Sequence, residues 1–274
     1  MNRSLVVAGK EFKDGMRNRW IIAITLIYAI LSLGLAYFGS ATSGHLGFAS
    51  MESTMTSLAS LAVMLIPLIA LMLAHNAFVG EYEQGTMLLL LTYPLSRGQL
   101  LLGKFIGQGG ILAVSALLGF GVSALAIVLF SDAERSEVLV AFAGFIMSAA
   151  LLGFVFLALA YVVSLSVSEK SRAVGLVLLV WFLFVIVFDL VLMAVLVATE
   201  GDLSRDIVPL LLLLNPTDIF RLINYMIIDA ETYGGILQPM QKGGWALETL
   251  FSILSLWIVI PLSVAWGIFR NRAL

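Results

Sequence analysis

The sequence predicts an all-α membrane protein in which six transmembrane helices follow an N-terminal amphipathic helix and both termini lie in the cytoplasm. Apolar residues make up 61% of the 274 residues, and charged residues make up only 12%, about half the share found in soluble domains. Six apolar stretches are each long enough to cross a bilayer. Lysine and arginine are concentrated in alternate connecting segments, which is typical of cytoplasmic loops.

Residues 1–19 precede the first apolar stretch and carry many charges. We expect a helix over Arg3–Arg19, because apolar side chains fall near one of its faces, namely Leu5, Val6, Phe12 and Met16. A helix of this kind lies in the plane of the membrane interface, with its basic residues near anionic lipid headgroups. A polar tail without regular structure is the alternative interpretation.

The six predicted crossings are Trp20–Phe38, Leu58–Val79, Leu100–Phe130, Val138–Val167, Ala173–Ala198 and Thr249–Phe269. Continuous apolar runs favour helices over the strands of a barrel, which alternate in polarity and are half as long. With the N-terminus inside, eleven of the 15 lysine and arginine residues lie in cytoplasmic segments and four lie in outer segments. This asymmetry predicts that both termini are cytoplasmic.

Small residues and prolines within the crossings predict how these helices pack. Gly103 and Gly107 are four residues apart near the start of the third crossing, and this spacing permits a close approach by another helix. Pro67 and Pro261 predict kinks in the second and sixth crossings. Such kinks are tolerated where neighbouring helices satisfy the freed carbonyl groups.

The longest connecting segment, residues 199–248, lies on the outer side and has room for a small helical subdomain. Asn215 precedes Pro216, so any preceding helix ends there. Thr217 or Asp218 is the predicted cap of the helix that follows. We therefore expect two short helices packed on the outer face of the membrane.

The segment Gly80–Lys104 connects the second and third crossings on the cytoplasmic side. Its apolar centre, Thr86–Leu95, has ten residues, whereas a bilayer crossing takes about 20. Met87–Leu91 is nevertheless a run of five large apolar residues, which an ordinary polar loop does not contain. We predict a short helix at the membrane surface that binds another protein.

The residue types of catalytic and metal sites are scarce in this chain. It contains no G-x-x-x-x-G-K-[ST] motif, so it does not bind ATP through a phosphate-binding loop. It has no cysteine, and its two histidines, His45 and His75, do not form an H-E-x-x-H motif. We therefore predict no catalytic residues and no metal site, and we interpret the methionines as packing residues.

His75 and Asp189 are polar residues within apolar stretches. An intramembrane serine protease would pair His75 with Ser115 or Ser148, but no motif supports this enzyme, and we favour a structural, hydrogen-bonded histidine. A carboxylate within the membrane is costly and marks a functional candidate. Asp189 is either a proton or cation site or, as we prefer, lies toward the outer half of the membrane, hydrogen-bonded to a neighbouring helix or facing a water-filled vestibule.

The segment Gly80–Lys104 resembles the coupling segment of ABC-2 type permeases, and Lys10–Trp20 resembles the interfacial elbow helix of that family. The residues that carry the first resemblance are Glu81, Glu83, Gly85, Thr86, Leu89, Leu90, Pro94, Leu95, Ser96, Arg97 and Lys104. The resemblance implies a single permease domain over residues 1–274. Its parts are the elbow helix 1–19, the cytoplasmic coupling segment 80–99 and the outer helical subdomain 199–248.

The resemblance also implies a set of partners. A permease of this family is a non-catalytic, multi-pass protein of the bacterial inner membrane, surrounded by lipid and paired with a second copy of itself. ATP and Mg²⁺ bind to a separate dimer of cytoplasmic ATPase subunits, so no cofactor is expected on this chain, and no nucleic acid is expected as a partner. The coupling residues would transmit the movement of the ATPase, with Glu81 and Arg97 at the two ends of the segment.

More narrowly, the chain is similar to the membrane subunits of ABC transporters that mature nitrous oxide reductase. The stretches AGKEFKDGMRNRW, HNAFVGEYEQGTMLLLLTYPLSRGQLLLGKF and LLLLNPTDIFRL carry this similarity. It implies copper-site assembly and a periplasmic accessory protein docked at Asn215, Pro216, Asp218 and Arg221. The sequence leaves three possibilities open: the transporter moves copper, it moves a sulfur species, or it transmits only mechanical force to the periplasmic partner. A generic exporter of lipid, drug or polysaccharide is the alternative function.

Overall fold

A computed structural model describes residues 3–38, 51–131, 134–199, 207–228 and 245–272. The regular elements of these ranges are the helices α1 Arg3–Arg17, α2 Trp20–Phe38, α3 Met51–Ala74, α4 Val79–Glu83, α5 Thr86–Thr92, α6 Arg97–Phe130, α7 Arg135–Ser166, α8 Lys170–Phe182, α9 Phe188–Ala198, α10 Ile207–Leu212, α11 Pro216–Ile227 and α12 Leu247–Asn271. A π-helical turn, Leu183–Val187, joins α8 to α9. The predicted all-helical fold is confirmed for the described residues.

Within the described ranges, six helical stretches are long and apolar enough to cross a membrane, as the sequence predicts. They are Trp20–Phe38, Ser53–Glu83, Arg97–Phe130, Arg135–Ser166, Lys170–Ala198 and Leu247–Asn271. Five of them begin a few residues before the predicted crossings. The prediction counted apolar residues, whereas helical hydrogen bonding continues into the polar flanks. The predicted second crossing ends at Val79, within this longer helical stretch.

The bundle has α6 and α7 at its centre, and these two crossings are more buried than α2, α8, α9 and α12. Aromatic side chains fill the space around α7, where Phe145 packs edge-on against both Phe120 and Phe220. The outer faces of the peripheral helices expose leucine and valine. In a bilayer these faces contact lipid, because lipid tails are as apolar as the side chains themselves.

Helix α1 lies against α6 at the two glycines that predict a close approach. A Cβ atom on Gly103 would lie 2.8 Å from the carbonyl oxygen of Ser4, and one on Gly107 would lie 2.7 Å from that of Ala8. The expected close contact is therefore confirmed, and its partner is the N-terminal helix. Apolar side chains on the opposite side of α1 are exposed, namely Leu5, Val6 and Met16.

Helix α11 enters the bundle. The Asn215 side chain caps it by accepting a hydrogen bond from the backbone N–H of Thr217 (3.1 Å), so the predicted cap at Thr217 or Asp218 is wrong. The same side chain donates to the carbonyl oxygen of Phe184 (2.9 Å). Phe184 lies midway along a crossing of 29 residues, about 20 Å from either end. The two predicted short helices exist as α10 and α11, but α11 does not lie on the outer face.

Candidate functional site

Helices α4 and α5 form a helical hairpin at the end of the bundle that also carries α1, which we call the α5 end. Gly85 joins the two helices with a φ of +70°. This left-handed conformation is strained for residues with a side chain and is open to glycine. Gly85 therefore allows a sharp bend between α4 and α5.

Helix α5 presents an apolar surface that the rest of the described chain does not cover. Leu88, Leu89 and Tyr93 are exposed by 56%, 64% and 65%, whereas Met87 is buried and Leu90 packs against the core. The predicted leucine pair is therefore divided between the two faces of the helix. Leu88 and Tyr93 escaped prediction because an unbroken apolar run has no periodicity that distinguishes inner from outer faces.

Lys104 is the centre of an ion network beneath this surface. Its Nζ lies 3.2 Å from Glu11 Oε1 and 3.4 Å from Glu81 Oε1, and only 5% of the side chain is exposed. Glu81 also accepts a hydrogen bond from the hydroxyl of Thr86 at the start of α5. The network therefore joins α1, α4, α5 and α6 through charged groups.

The network continues into the centre of the bundle through Gln108. Its Nε2 donates to Glu11 Oε2 (3.2 Å), and its Oε1 accepts from the hydroxyl of Tyr161 on α7 (3.1 Å). Glu11 and Gln108 were not predicted as site residues. The sequence gives little indication of their role, because nothing in the pattern around Glu11 or Gln108 shows that these polar side chains are buried.

Arg97 holds the start of α6 against the end of α12. Its Nη1 donates to the carbonyl oxygens of Phe269, Arg270 and Arg272 at distances of 2.6–2.9 Å. These are the unpaired carbonyls at a helix C-terminus, where a cation is favoured. Ser96 begins α6 with a capping box formed with Gln99, which satisfies two backbone N–H groups.

The remaining predicted coupling residues also contact the bundle. The carbonyl oxygen of Pro94 accepts a hydrogen bond from Arg3 on α1, and a Glu83 carboxylate oxygen lies 3.5 Å from the backbone N–H of Lys170. Arg272 donates to the Leu165 carbonyl and lies 4.1 Å above the Tyr82 ring. The α4–α5 hairpin and the residues that flank it are therefore connected to α1, α8 and the C-terminus of α12.

An open polar cavity of about 240 Å³ borders the ion network between α1, α3 and α6. The residues that line it are Lys10, Glu11, Asp14, Asn18, Leu73, Asn76, Ala77, Glu81, Lys104 and Gln108. Lys10 pairs with Asp14 at 3.3 Å. Burial alone would lower the pKa of Lys10, but the neighbouring Glu11 and Asp14 carboxylates outweigh it and raise the pKa.

A second charged cluster joins α11 to crossing five. Arg221 Nη1 donates to Asp189 Oδ2 (2.8 Å) and to Asp218 Oδ1 (2.7 Å). The predicted pairing of Asp189 with a neighbouring helix is therefore confirmed. Burial, followed by the nearby Asp189 charge, raises the pKa of the fully buried Asp218 to about 7, against the opposing effect of Arg221.

The predicted docking residues lie inside the fold. Asn215, Pro216 and Asp218 are buried, and Arg221 is about four-fifths buried. The sequence prediction treated this segment as an outer loop, whereas its polar side chains bind Phe184 and Asp189 of crossing five. The described residues thus give these four positions a structural contact within the chain and no surface for a partner. Residues 200–206 and 229–244 of the outer segment lie outside the described ranges.

His75 has a hydrogen-bonded position, as predicted. Its Nδ1 lies 2.8 Å from the Met72 carbonyl oxygen. The hydroxyl groups of Ser115 and Ser148 donate instead to the Ile21 and Phe145 carbonyl oxygens, so these three residues do not form a nucleophile–base pair. In the described ranges, no group of three or more histidine, cysteine or acidic residues could hold a metal ion.

Six crossings, an N-terminal helix packed on α6 and a protruding helix between crossings two and three define a multi-pass membrane protein of the permease class. The chain belongs to the ABC-2 transporter family, whose model, described as ABC-2 family transporter protein, matches residues 5–274. It is accordingly a membrane permease subunit of an ABC transporter, a class that associates with an ATPase partner. A location in the inner membrane is consistent with this family.

Two relatives are similar over nearly their whole length. The chain is 53% identical over 267 residues to a probable ABC transporter permease protein NosY of Pseudomonas aeruginosa strain PAO1, covering 97% of each chain. It is 52% identical over 276 residues to the probable ABC transporter permease protein NosY of Stutzerimonas stutzeri, covering 99% of each chain.

Proposed function

We propose that this permease subunit couples ATP hydrolysis by a separate cytoplasmic ATPase to movement at the opposite end of the bundle, and that α5 is the contact between the two proteins. The observation that carries the proposal is the exposed apolar surface formed by Leu88, Leu89 and Tyr93. A short amphipathic helix of this kind fits a groove in a partner protein. ATP and Mg²⁺ then bind to the partner.

The contacts of α5 support its role as a rigid connection. The Glu81–Lys104 pair holds the hairpin to α6, and Arg97 holds the start of α6 to the C-terminus of α12. A movement of α5 would therefore pass directly into the central crossings and into α12. Packed elements move as units because their interfaces do not deform continuously.

The charge asymmetry supports the direction of this coupling. Eleven of 15 lysine and arginine residues lie on the side of the α5 end, which we assign to the cytoplasm. Two copies of the chain would meet two ATPase subunits, since a twofold arrangement is the commonest for subunits of this kind. Helix α11, which contacts crossing five and α12 inside the bundle, would then respond to movement of these two helices.

The biological role we propose is copper-site assembly in nitrous oxide reductase. Two full-length relatives named NosY support it, together with the similarity of three stretches of the sequence to subunits of that maturation system. A periplasmic accessory protein would contact the outer segment 199–248. Because Asn215 and Asp218 are buried, they would serve this contact by positioning α11. In this role the transporter moves copper or a sulfur species, or it transmits only mechanical force to the periplasmic protein.

Alanine substitution at Leu88 and Leu89 together tests the contact with the ATPase. The full-length chain would be purified in detergent from its native host, and the accompanying proteins would be identified by mass spectrometry. We expect at least tenfold less ATPase to be recovered with the double variant than with the wild type. Fully burying a leucine side chain contributes about 1.5–3 kcal/mol, and a loss of about 1.4 kcal/mol weakens binding tenfold. Leu5→Ala, which removes an exposed leucine of α1 at the same end, is the matched control.

The same purification distinguishes the two levels of the proposal. An ATPase together with a periplasmic protein supports the maturation role, and an ATPase alone supports a generic exporter of the same family. Equal ATPase recovery from the wild type and the Leu88→Ala/Leu89→Ala variant would show that α5 is not the contact.

A further inference from the structure

The cluster Asp189–Arg221–Asp218 has two acids and one base in a buried position. One nitrogen, Arg221 Nη1, bridges the carboxylates at 2.8 and 2.7 Å. The second oxygen of each carboxylate, Asp189 Oδ1 and Asp218 Oδ2, is buried and has no hydrogen-bond partner. With both acids ionised, the cluster would carry an uncompensated negative charge in a buried position beside crossing five, where buried charge is costly.

We propose that this cluster is a proton-binding site in which Asp218 carries one proton while α11 is inserted in the bundle. A proton on Asp218 Oδ2 leaves one carboxylate, that of Asp189, paired with the one guanidinium group of Arg221. The cluster is then neutral, and its remaining charges form one ion pair, Arg221–Asp189, at 2.8 Å. This site extends beyond the proposed coupling function and does not depend on it.

Burial distinguishes the two carboxylates. The Asp218 side chain is fully buried, whereas about a fifth of the Asp189 side chain is exposed. The more buried acid is the one whose ionised form is less stable, and the pKa of Asp218 is raised to about 7 by this burial and then by the Asp189 charge. The N-terminus of α11 favours the ionised form, but this effect is small beside desolvation.

The groups that face Asp218 come from several elements. Among the charged groups of the described residues, those that act on its titration are Asp189, from crossing five, and Arg221, from α11. The Asn215 side chain at the helix cap also lowers the pKa of Asp218 slightly, against the larger effect of burial. From α7, the neutral residues Phe145 and Ser148 face α11 through Phe220 and Asn224. The titration therefore reports on the contact between α11 and crossing five.

The pH dependence of stability follows from the direction of the shift. Between its ordinary pKa of 3.8 and the raised value of about 7, Asp218 keeps its proton in the folded chain and loses it in the unfolded chain. The folded state binds more protons in this window, so its stability is greatest in acid and falls as the pH rises towards 7. Above that pH, the buried negative charge weakens the insertion of α11.

Infrared difference spectroscopy of the full-length chain in lipid nanodiscs tests the proton directly. We expect the wild type to show the carbonyl band of a protonated carboxyl group that disappears with a midpoint near pH 7, and Asp218→Asn to lack this band. Asp189→Asn removes the neighbouring negative charge, so the midpoint should move to lower pH by about one unit. Glu137→Gln, at an exposed acid on α7, should leave the band unchanged.

Thermal unfolding of the same proteins provides the second measurement. The decrease in Tm between pH 5 and pH 8 should be at least halved in Asp218→Asn, because the amide cannot release a proton, and retained in Glu137→Gln. The absence of a carboxyl band titrating between pH 5 and pH 9 in the wild type would overturn the proposal. So would a band that persists in Asp218→Asn.

Discussion

The Lys104 ammonium group lies against two carboxylates, those of Glu11 and Glu81, and is almost completely buried. Replacing it with methionine removes the positive charge and leaves two acids facing each other in a poorly solvated site. Removing one partner of a buried ion pair costs about 3–5 kcal/mol. We expect Lys104→Met to lower Tm in detergent by roughly 6–12 °C, as measured by thermal unfolding of the purified chain.

Lys13→Met is the matched control, because Lys13 is an exposed lysine on α1 and its replacement should change stability by no more than about 0.5 kcal/mol. Equal Tm values for the two variants would show that the ion network does not hold the α5 end together. At this scale the sequence predicted Glu81 and Lys104 as site residues but not their contact with Glu11. That contact requires α1 to lie along α6, and no local pattern encodes it.

At the scale of the element, the position of α1 depends on the two glycines of α6. A Cβ on Gly107 would lie 2.7 Å from the Ala8 carbonyl oxygen, whereas nothing lies within 4 Å of a Cβ on Gly121 of the same helix. We expect Gly107→Ala to displace α1 and to destabilise the chain by about 1–3 kcal/mol. Gly121→Ala should be neutral or stabilising, because alanine favours a helix by about 1 kcal/mol over glycine.

Thermal unfolding distinguishes these two alanine variants, and a single cysteine at Lys13 reports on α1 itself, since the chain has no cysteine of its own. Unchanged thiol labelling and Tm in Gly107→Ala would contradict the close packing of α1. The sequence predicted the glycine contact from the spacing of Gly103 and Gly107. It predicted α5 from a short apolar run and α11 from the break at Asn215-Pro216. It did not predict which face of α5 is exposed, because Met87–Leu91 is apolar throughout, nor the insertion of α11, which depends on the distant Phe184 and Asp189.

At the scale of the whole molecule, the crossings and the charge asymmetry together predict which parts of the chain face each side of the membrane. The six candidate crossings among the described residues would place α1 and the C-terminus of α12 on one side, and the lysine and arginine distribution predicts that this side is the cytoplasm. We therefore expect a single cysteine at Lys13 to react with a membrane-impermeant maleimide only after the cells are permeabilised. A cysteine at Glu137, at the exposed start of α7, should react in cells whose outer membrane alone has been opened.

Asp218→Cys completes this test, because an inserted α11 and an α11 on the outer face predict different labelling of a cysteine at this position. Asp218 is fully buried, so a cysteine there should resist labelling from either side and react only after denaturation. A helix lying on the outer face would label together with the Glu137→Cys variant. Labelling of Lys13→Cys in cells with an intact inner membrane would reverse the orientation and remove α5 from the reach of a cytoplasmic ATPase. The Lys13→Cys and Asp218→Cys variants therefore test the proposed coupling function and the position of α11 independently.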